Sequence, residues 1–203
     1  NQWRATMRQQ LARLAAPFNF LRNFDAVWVP GDKQKEFALK LGFKKDQITT
    51  GFYSADLNYF NNVFFDNIQA KTEKYPHVFL FLGRYIQEKG LDLLIEAFEE
   101  FKQESDNDWQ LHCVGTGRLR ENYTDSDSIR HLGFVQPYDL ASVMKDAGVF
   151  VLPSVFEPWG LVIHECVAAG LPIITTQEVG SASTFVNADN GLFIKSNSKQ
   201  AIK

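Results

Sequence analysis

Two glutamates, Glu157 and Glu165, stand with seven residues between them in the stretch PSVFEPWGLVIHECVAAGLP, residues 153–172. A carboxylate offers two acceptor oxygens, so each side chain suits a pair of sugar hydroxyls. Glu157-Pro158-Trp159-Gly160 are turn residues, and from Leu161 the pattern becomes helical, with Ala168 and Ala169 near its end and Gly170 and Pro172 as stop signals. A helix opening there leaves the backbone N–H groups of about residues 159–162 unpaired at its positive end, which is a seat for phosphate. Because a helical residue rises only ~1.5 Å, both carboxylates can face one ligand. Hydroxyl acceptors around an anion seat suggest a ligand that carries both groups.

A second cluster lies upstream in GRYIQEKG, residues 83–90. Gly83 lets the backbone turn sharply, and Arg84 and Lys89 place two cations on one loop, enough to clamp a diphosphate. Taken alone, such a loop is ordinary solvated surface. Combined with a helix start that seats anions, it becomes a candidate site.

The elements that must position these groups are read from apolar runs and turn signals. Residues 149–152 form a short, uninterrupted apolar run typical of a buried parallel strand. Further strands are expected at residues 78–82, 110–114, 129–135, 172–176 and 191–194, and helices at 91–103 and 138–146. This alternation specifies an α/β fold, Rossmann-like and doubly wound, with a mostly parallel sheet and its ligands at the strands' C-terminal edge. Ahead of it, residues 25–29 read as a strand, Asp32 as the N-cap of a helix over 33–41 closed by Gly42, and residues 48–50 as a short strand. Residues 51–75 mix Asn, Asp, Tyr and Phe without a clear period and read as a connecting segment. The expected organisation is therefore 1–50, 51–75 as the connection, and 76–203 as the main α/β unit, which a last helical turn near 198–203 leaves incomplete.

Composition agrees with a globular chain of 203 residues, 45% apolar and 22% charged. No apolar run reaches the ~20 residues of a membrane-spanning helix, and no signal peptide is visible. The start at Asn1 reads as that of a fragment. Cys113 and Cys166 sit in apolar segments without metal or redox spacing and read as buried free thiols of a reducing compartment. Residues 1–50 hold nine Lys or Arg against four Asp or Glu, and the remainder twelve against twenty. Within that basic front, Trp3, Met7, Leu11 and Leu14 recur at helical spacing beside Arg4, Arg8 and Arg13. A helix packed on the protein's own sheet is favoured over one lying on a membrane surface.

The segments FLGRYIQEKGLDLLIEAF, VGTGRL, LGFVQPYDLASVMKDAGVFVLPSVFEPWGLVIHECVAAGLP and NGLF, in this order, resemble the C-terminal donor-binding domain of retaining GT-B glycosyltransferases, the glycosyl transferases group 1, family 4-like. The resemblance covers about residues 78–194, and residues 31–60 more loosely resemble the end of the N-terminal acceptor domain and the crossover. It implies that Arg84 and Lys89 bind the donor's diphosphate next to Gly83, and that Glu165 binds ribose. Glu157 would bind the donor sugar, helped by backbone N–H groups of Trp159, Gly160 and Leu161. The loop holding Gly115 and Gly117 would border the nucleotide, and main chain at Phe134 and Val135 would meet the base. Trp159 stands where the family more often has Phe, which reshapes the sugar pocket.

The resemblance further implies a hexosyltransferase that uses a nucleotide-diphosphate sugar with retention and without a metal or other cofactor, Arg84, Lys89 and Glu157 acting electrostatically. The acceptor is a glycan, lipid-linked sugar or small molecule. Nucleic acid is not an expected partner, and the setting is cytoplasmic, with peripheral contact at the inner membrane face as the weaker extension. The expectation for the chain alone is weak nucleotide binding without transfer. Alternatives are a sugar-nucleotide epimerase, a phosphorylase, or a non-catalytic module that retains the site. Asp106/Asp108 and Asp125/Asp127 mimic a metal-binding DxD pair but lie in polar loops and read as solvated surface. His77, His112, His131 and His164 lack metal spacing, and the single pair Gly115 and Gly117 falls short of a dinucleotide fingerprint.

Overall fold

The computed structural model describes residues 2–202. In chain order the elements are α1 (Met7–Ala15), α2 (Phe20–Asn23), β1 (Val27–Val29), α3 (Asp32–Leu41), β2 (Ile48–Thr50), α4 (Leu57–Glu73), β3 (Val78–Leu82), α5 (Leu91–Glu104), β4 (Gln110–Val114), β5 (Ile129–Gly133), α6 (Leu140–Lys145), β6 (Val149–Leu152), α7 (Leu161–Ala168), β7 (Ile173–Thr176), α8 (Ala182–Phe185), β8 (Gly191–Ile194) and α9 (Lys199–Ile202). Strands β3 to β8 form one parallel sheet in the order β5-β4-β3-β6-β7-β8. The chain runs outward from β3 to β5, returns to lay β6 beside β3, and runs outward the other way. That reversal is the topological switch point of a doubly wound fold, where the strand ends leave a crevice.

Burial follows strand identity. Leu80, Phe81, Leu111, Cys113, Phe150, Leu152 and Ile173 are inaccessible, as strands covered on both faces require. α5 sets Leu91, Leu94, Ala97 and Phe98 against the sheet, as its helical period dictates. β1 and β2 form a separate two-stranded parallel pair over a small core of Ala38, Phe43 and Ile48.

Several sequence expectations shift. Residues 57–73 are a 17-residue helix rather than a structureless connection, capped by Asp56, whose carboxylate accepts from Tyr59 N–H at 3.1 Å. Only Phe60 and Val63 of α4 are buried, so its sequence carries little apolar period. Asp32 is the first helical residue of α3, and Gly31 occupies the cap without a side-chain bond. The strand expected over 25–29 is confined to Val27–Val29, β5 ends at Gly133, and residues 137–139 are a 3-10 turn before α6. On α1, Met7, Leu11 and Leu14 are 80%, 59% and 73% exposed, against the expectation that this stripe packs on the sheet. The helix stays regular because Thr6 and Gln9 form a reciprocal capping box. No helix among the described residues is long and apolar enough to cross a membrane.

Candidate functional site

Both loops singled out by their chemistry leave the C-terminal ends of the two strands that flank the switch point, β3 and β6. After β3, Gly83 N–H donates to Val114 O at 3.0 Å, which ties the turn to the neighbouring strand. Arg84 then points to solvent, while Tyr85 is fully buried and roots the loop. The Tyr85 hydroxyl lies 3.1 Å from Cys113 O and 2.9 Å from His131 Nδ1, and its N–H donates to Thr116 O at 2.9 Å. Burial pushes its phenol well above the ordinary tyrosine value. A 3-10 turn, Gln87–Lys89, carries the chain to Gly90, packed so closely on the other loop that a Cβ would lie 2.6 Å from Pro153 O. Val155 N–H completes the joint by donating to Glu88 O at 2.9 Å.

This joint brings the Lys89 ammonium onto the Glu157 carboxylate as an ion pair, with side chains only 12% and 14% exposed. Burial, and then the nearby Arg84 guanidinium, push Lys89 down to about 8. The Arg84 guanidinium has no hydrogen-bond or carboxylate partner among the described residues. The arrangement is thus two cations and one carboxylate at a single spot on the crevice.

Glu157 also lies over the start of α7. Gly160 caps that helix at φ 82°, a left-handed conformation that favours glycine, and a Cβ there would meet Glu157 Cγ at 2.9 Å. Among the described residues, the N–H groups of Trp159, Gly160, Leu161 and Val162 meet no acceptor. Four unpaired donors at a helix N-terminus beside Lys89 and Arg84 form a strongly anion-favouring surface. Glu165, little more than one turn into α7, is half-buried with no partner among the described residues, and burial raises its carboxyl above the ordinary glutamate value. His164 faces elsewhere: its Nδ1 accepts from Ala55 N–H at 3.2 Å and its ring stacks on Phe185 at 3.9 Å between centroids.

The remaining expected site residues divide. Gly115 and Gly117 press against the Arg84 loop, since a Cβ at Gly115 would fall 1.9 Å from Gly83 O and one at Gly117 2.5 Å from Tyr85 O. Val135 follows β5, two strands out from the switch point, and packs against the main core. Trp159 is 7% exposed, its ring set against Gly31 and edge-on to Phe185, so the residue expected to shape the sugar pocket by its side chain is spent on the junction with the N-terminal segment. No group of three His, Cys, Asp or Glu among the described residues is placed to hold a metal ion. Asp125 instead accepts from His131 N–H at 2.8 Å, and Asp108 pairs with His77. Away from the crevice, a cavity of about 340 Å³ opens beside α4, but its one cation, Lys71, already donates to Met144 O and Ala147 O at 3.0 and 2.7 Å.

Sequence reasoning missed Gln2 and Gln34. Their side-chain amides donate to carbonyls of the Glu157 loop, Gln2 to Glu157 O at 2.8 Å and Gln34 to Pro158 O. Nothing in their sequence context marks either, because the partners lie 155 and 124 residues away.

Comparison with known proteins identifies the family and the fold. Residues 64–203 match the sequence model of the family described as glycosyl transferases group 1. An uncharacterised glycosyltransferase of Methanocaldococcus jannaschii is 33% identical over 122 residues, which is 57% of this chain and 31% of that protein. The Anabaena HepE structure in complex with UDP superposes with a TM-score of 0.74 at 18% identity, covering 96% of this chain and 56% of that one. Sucrose-phosphate synthase from Thermosynechococcus elongatus gives 0.72 at 24% identity, covering 98% and 52%. The chain thus matches about a third of that curated relative and about half of these solved chains. Its sheet order, its switch-point crevice and its match over residues 64–203 place this chain in the glycosyl transferases group 1 family, with the GT-B fold.

Proposed function

We propose that this chain is the donor-binding portion of a hexosyltransferase that takes a hexose from a nucleotide-diphosphate sugar and transfers it with retention. Arg84 and Lys89 hold the diphosphate, which Gly83 lets approach the main chain. Glu157 takes the sugar hydroxyls, helped by the N–H groups of Trp159, Gly160 and Leu161, and Glu165 takes the ribose. Gly115 and Gly117 shape the nucleotide's edge, and main chain at Val135 meets the base. As the anomeric C–O bond breaks, its electron pair passes to the diphosphate oxygen, and two cations with a helix end stabilise that charge where a metal ion would otherwise serve. The acceptor hydroxyl bonds to the anomeric carbon, and its proton passes to the departing diphosphate oxygen. Glu157 pairs with Lys89 and must share that cation with the diphosphate.

The observation that carries this reading is the Lys89–Glu157 pair beside four unpaired N–H groups at the switch point. Titration calorimetry with UDP, GDP and ADP tests it. The expected result is saturable binding of one nucleotide, with no sugar transferred by the chain alone. Absence of binding for all three nucleotides would overturn it.

A further inference from the structure

We propose that Gln34, supported by Gln2, is a positioning residue that aims the backbone donors and carboxylate of the Glu157 loop at the donor sugar. The role rests on the donor-site reading above. Three successive carbonyls precede the unpaired N–H row, and each is captured. Pro158 O accepts from Gln34 Nε2, Trp159 O from Ser181 N–H at 2.7 Å, and Gly160 O from the Ser181 hydroxyl at 2.7 Å. No peptide bond among the described residues is cis, so each carbonyl points opposite to the next residue's N–H. Holding Pro158 O toward α3 therefore aims Trp159 N–H away from α3, and Ser181 does the same for Gly160 and Leu161. Gln34 performs at the first peptide what Ser181 performs at the next two.

Gln2 secures the peptide before these. Its amide donates to Glu157 O at 2.8 Å and to Glu178 O at 3.0 Å, bridging the loop after β6 to the loop after β7. Both glutamines are nearly inaccessible, at 6% and 4% exposed. The Gln34 Oε1 is buried without a partner, so this amide is kept at a desolvation cost that an apolar side chain would avoid. Packing alone would be served by leucine, and the feature glutamine adds is the donor on Pro158 O.

The test compares Gln34→Leu with the unaltered 203-residue chain, using UDP against UDP-glucose, or GDP against GDP-mannose if GDP is the nucleotide that binds. Gln34→Met, which keeps the length of the side chain and has no donor, is the second variant should leucine impair folding. The expected result is that UDP affinity changes less than about twofold while the extra affinity conferred by the sugar falls about tenfold. Equal weakening of both ligands, or no change in either, would overturn the proposal. Amide hydrogen exchange gives a ligand-free readout. Gly180 and Ser181, whose N–H groups bond Glu157 O at 3.0 Å and Trp159 O at 2.7 Å, should exchange faster in the variant while β6 does not. If the unaltered chain binds no nucleotide, the donor-site reading falls, and this exchange decides the clamp: faster loop exchange upholds it and unchanged exchange removes it.

Discussion

Lys89 is the residue on which charge and pH act most directly. Its ammonium is buried beside Arg84, and both facts hold it near 8, below the ordinary lysine value of 10.5. Between those values the unfolded chain binds more protons than the fold, so this residue makes folding more favourable as pH rises through the window. The diphosphate binding proposed above runs the other way, because it requires the charged form. Nucleotide affinity should hold steady below pH of about 8 and weaken above it by up to about tenfold per pH unit. Arg84→Ala removes the like charge beside Lys89 and, on the proposed function, a phosphate contact. It should weaken binding at neutral pH and move the break to higher pH, which calorimetry across the range reads directly. A break that stays in place would remove Lys89 from the diphosphate site. This residue and its partner Glu157 were legible in sequence because each sits in a short loop after a plainly apolar strand. Gln34 was not, since its role depends on a carbonyl 124 residues away.

At the scale of elements, legibility followed burial. Strands β3 and β6 are covered on both faces, so their sequences are apolar runs, and β4 buries Leu111, Cys113 and Val114; together they fix the parallel sheet and hence the crevice. Helix α4 escaped detection because it buries only Phe60 and Val63, and Asn, Asp and Gln fill the positions a two-sided helix would make apolar. The helix is nevertheless tied down. The Tyr59 hydroxyl donates to Tyr138 O at 2.7 Å, and Lys71 donates to Met144 O in α6 and to Ala147 O just beyond it. Phe60, 4% exposed and edge-on to Tyr59 at 4.9 Å, is the apolar anchor of that docking. Phe60→Ala should cost about 3–5 kcal/mol, seen as a lower urea midpoint with an unchanged slope. A loss of under about 0.5 kcal/mol, the usual range of surface substitutions, would mean that α4 is only draped over the sheet. The exposed stripe of α1 teaches the converse: Met7, Leu11 and Leu14 have helical spacing, but period alone does not say what an apolar face meets.

For the molecule as a whole, the central relation is how residues 2–50 sit on the six-stranded unit, because that junction touches the proposed sugar side of the crevice. Lys33 donates to Gln177 O, Gln34 to Pro158 O, and the Arg4 guanidinium lies over the Phe156 ring at 4.7 Å. An apolar contact adds to these, since Gly31 abuts Trp159 so tightly that a Cβ would stand 2.5 Å from Cζ3 and 2.9 Å from Cη2. Gly31 has an extended φ of −164°, which any residue adopts, so the demand for glycine here is steric and has one named cause. Gly31→Ala should therefore overpack the junction by about 1–3 kcal/mol. Trp159→Phe shortens the ring at the point of collision, so the same alanine should cost at least about 1 kcal/mol less in that background. Thermal or urea unfolding of the four chains of this double-mutant cycle measures the difference. Strict additivity would show that Trp159 does not hold the N-terminal segment, whereas a favourable coupling would explain why a bulkier ring is tolerated beside the donor loop: its far edge is a spacer between the two parts of the chain, and its backbone N–H remains free for the ligand.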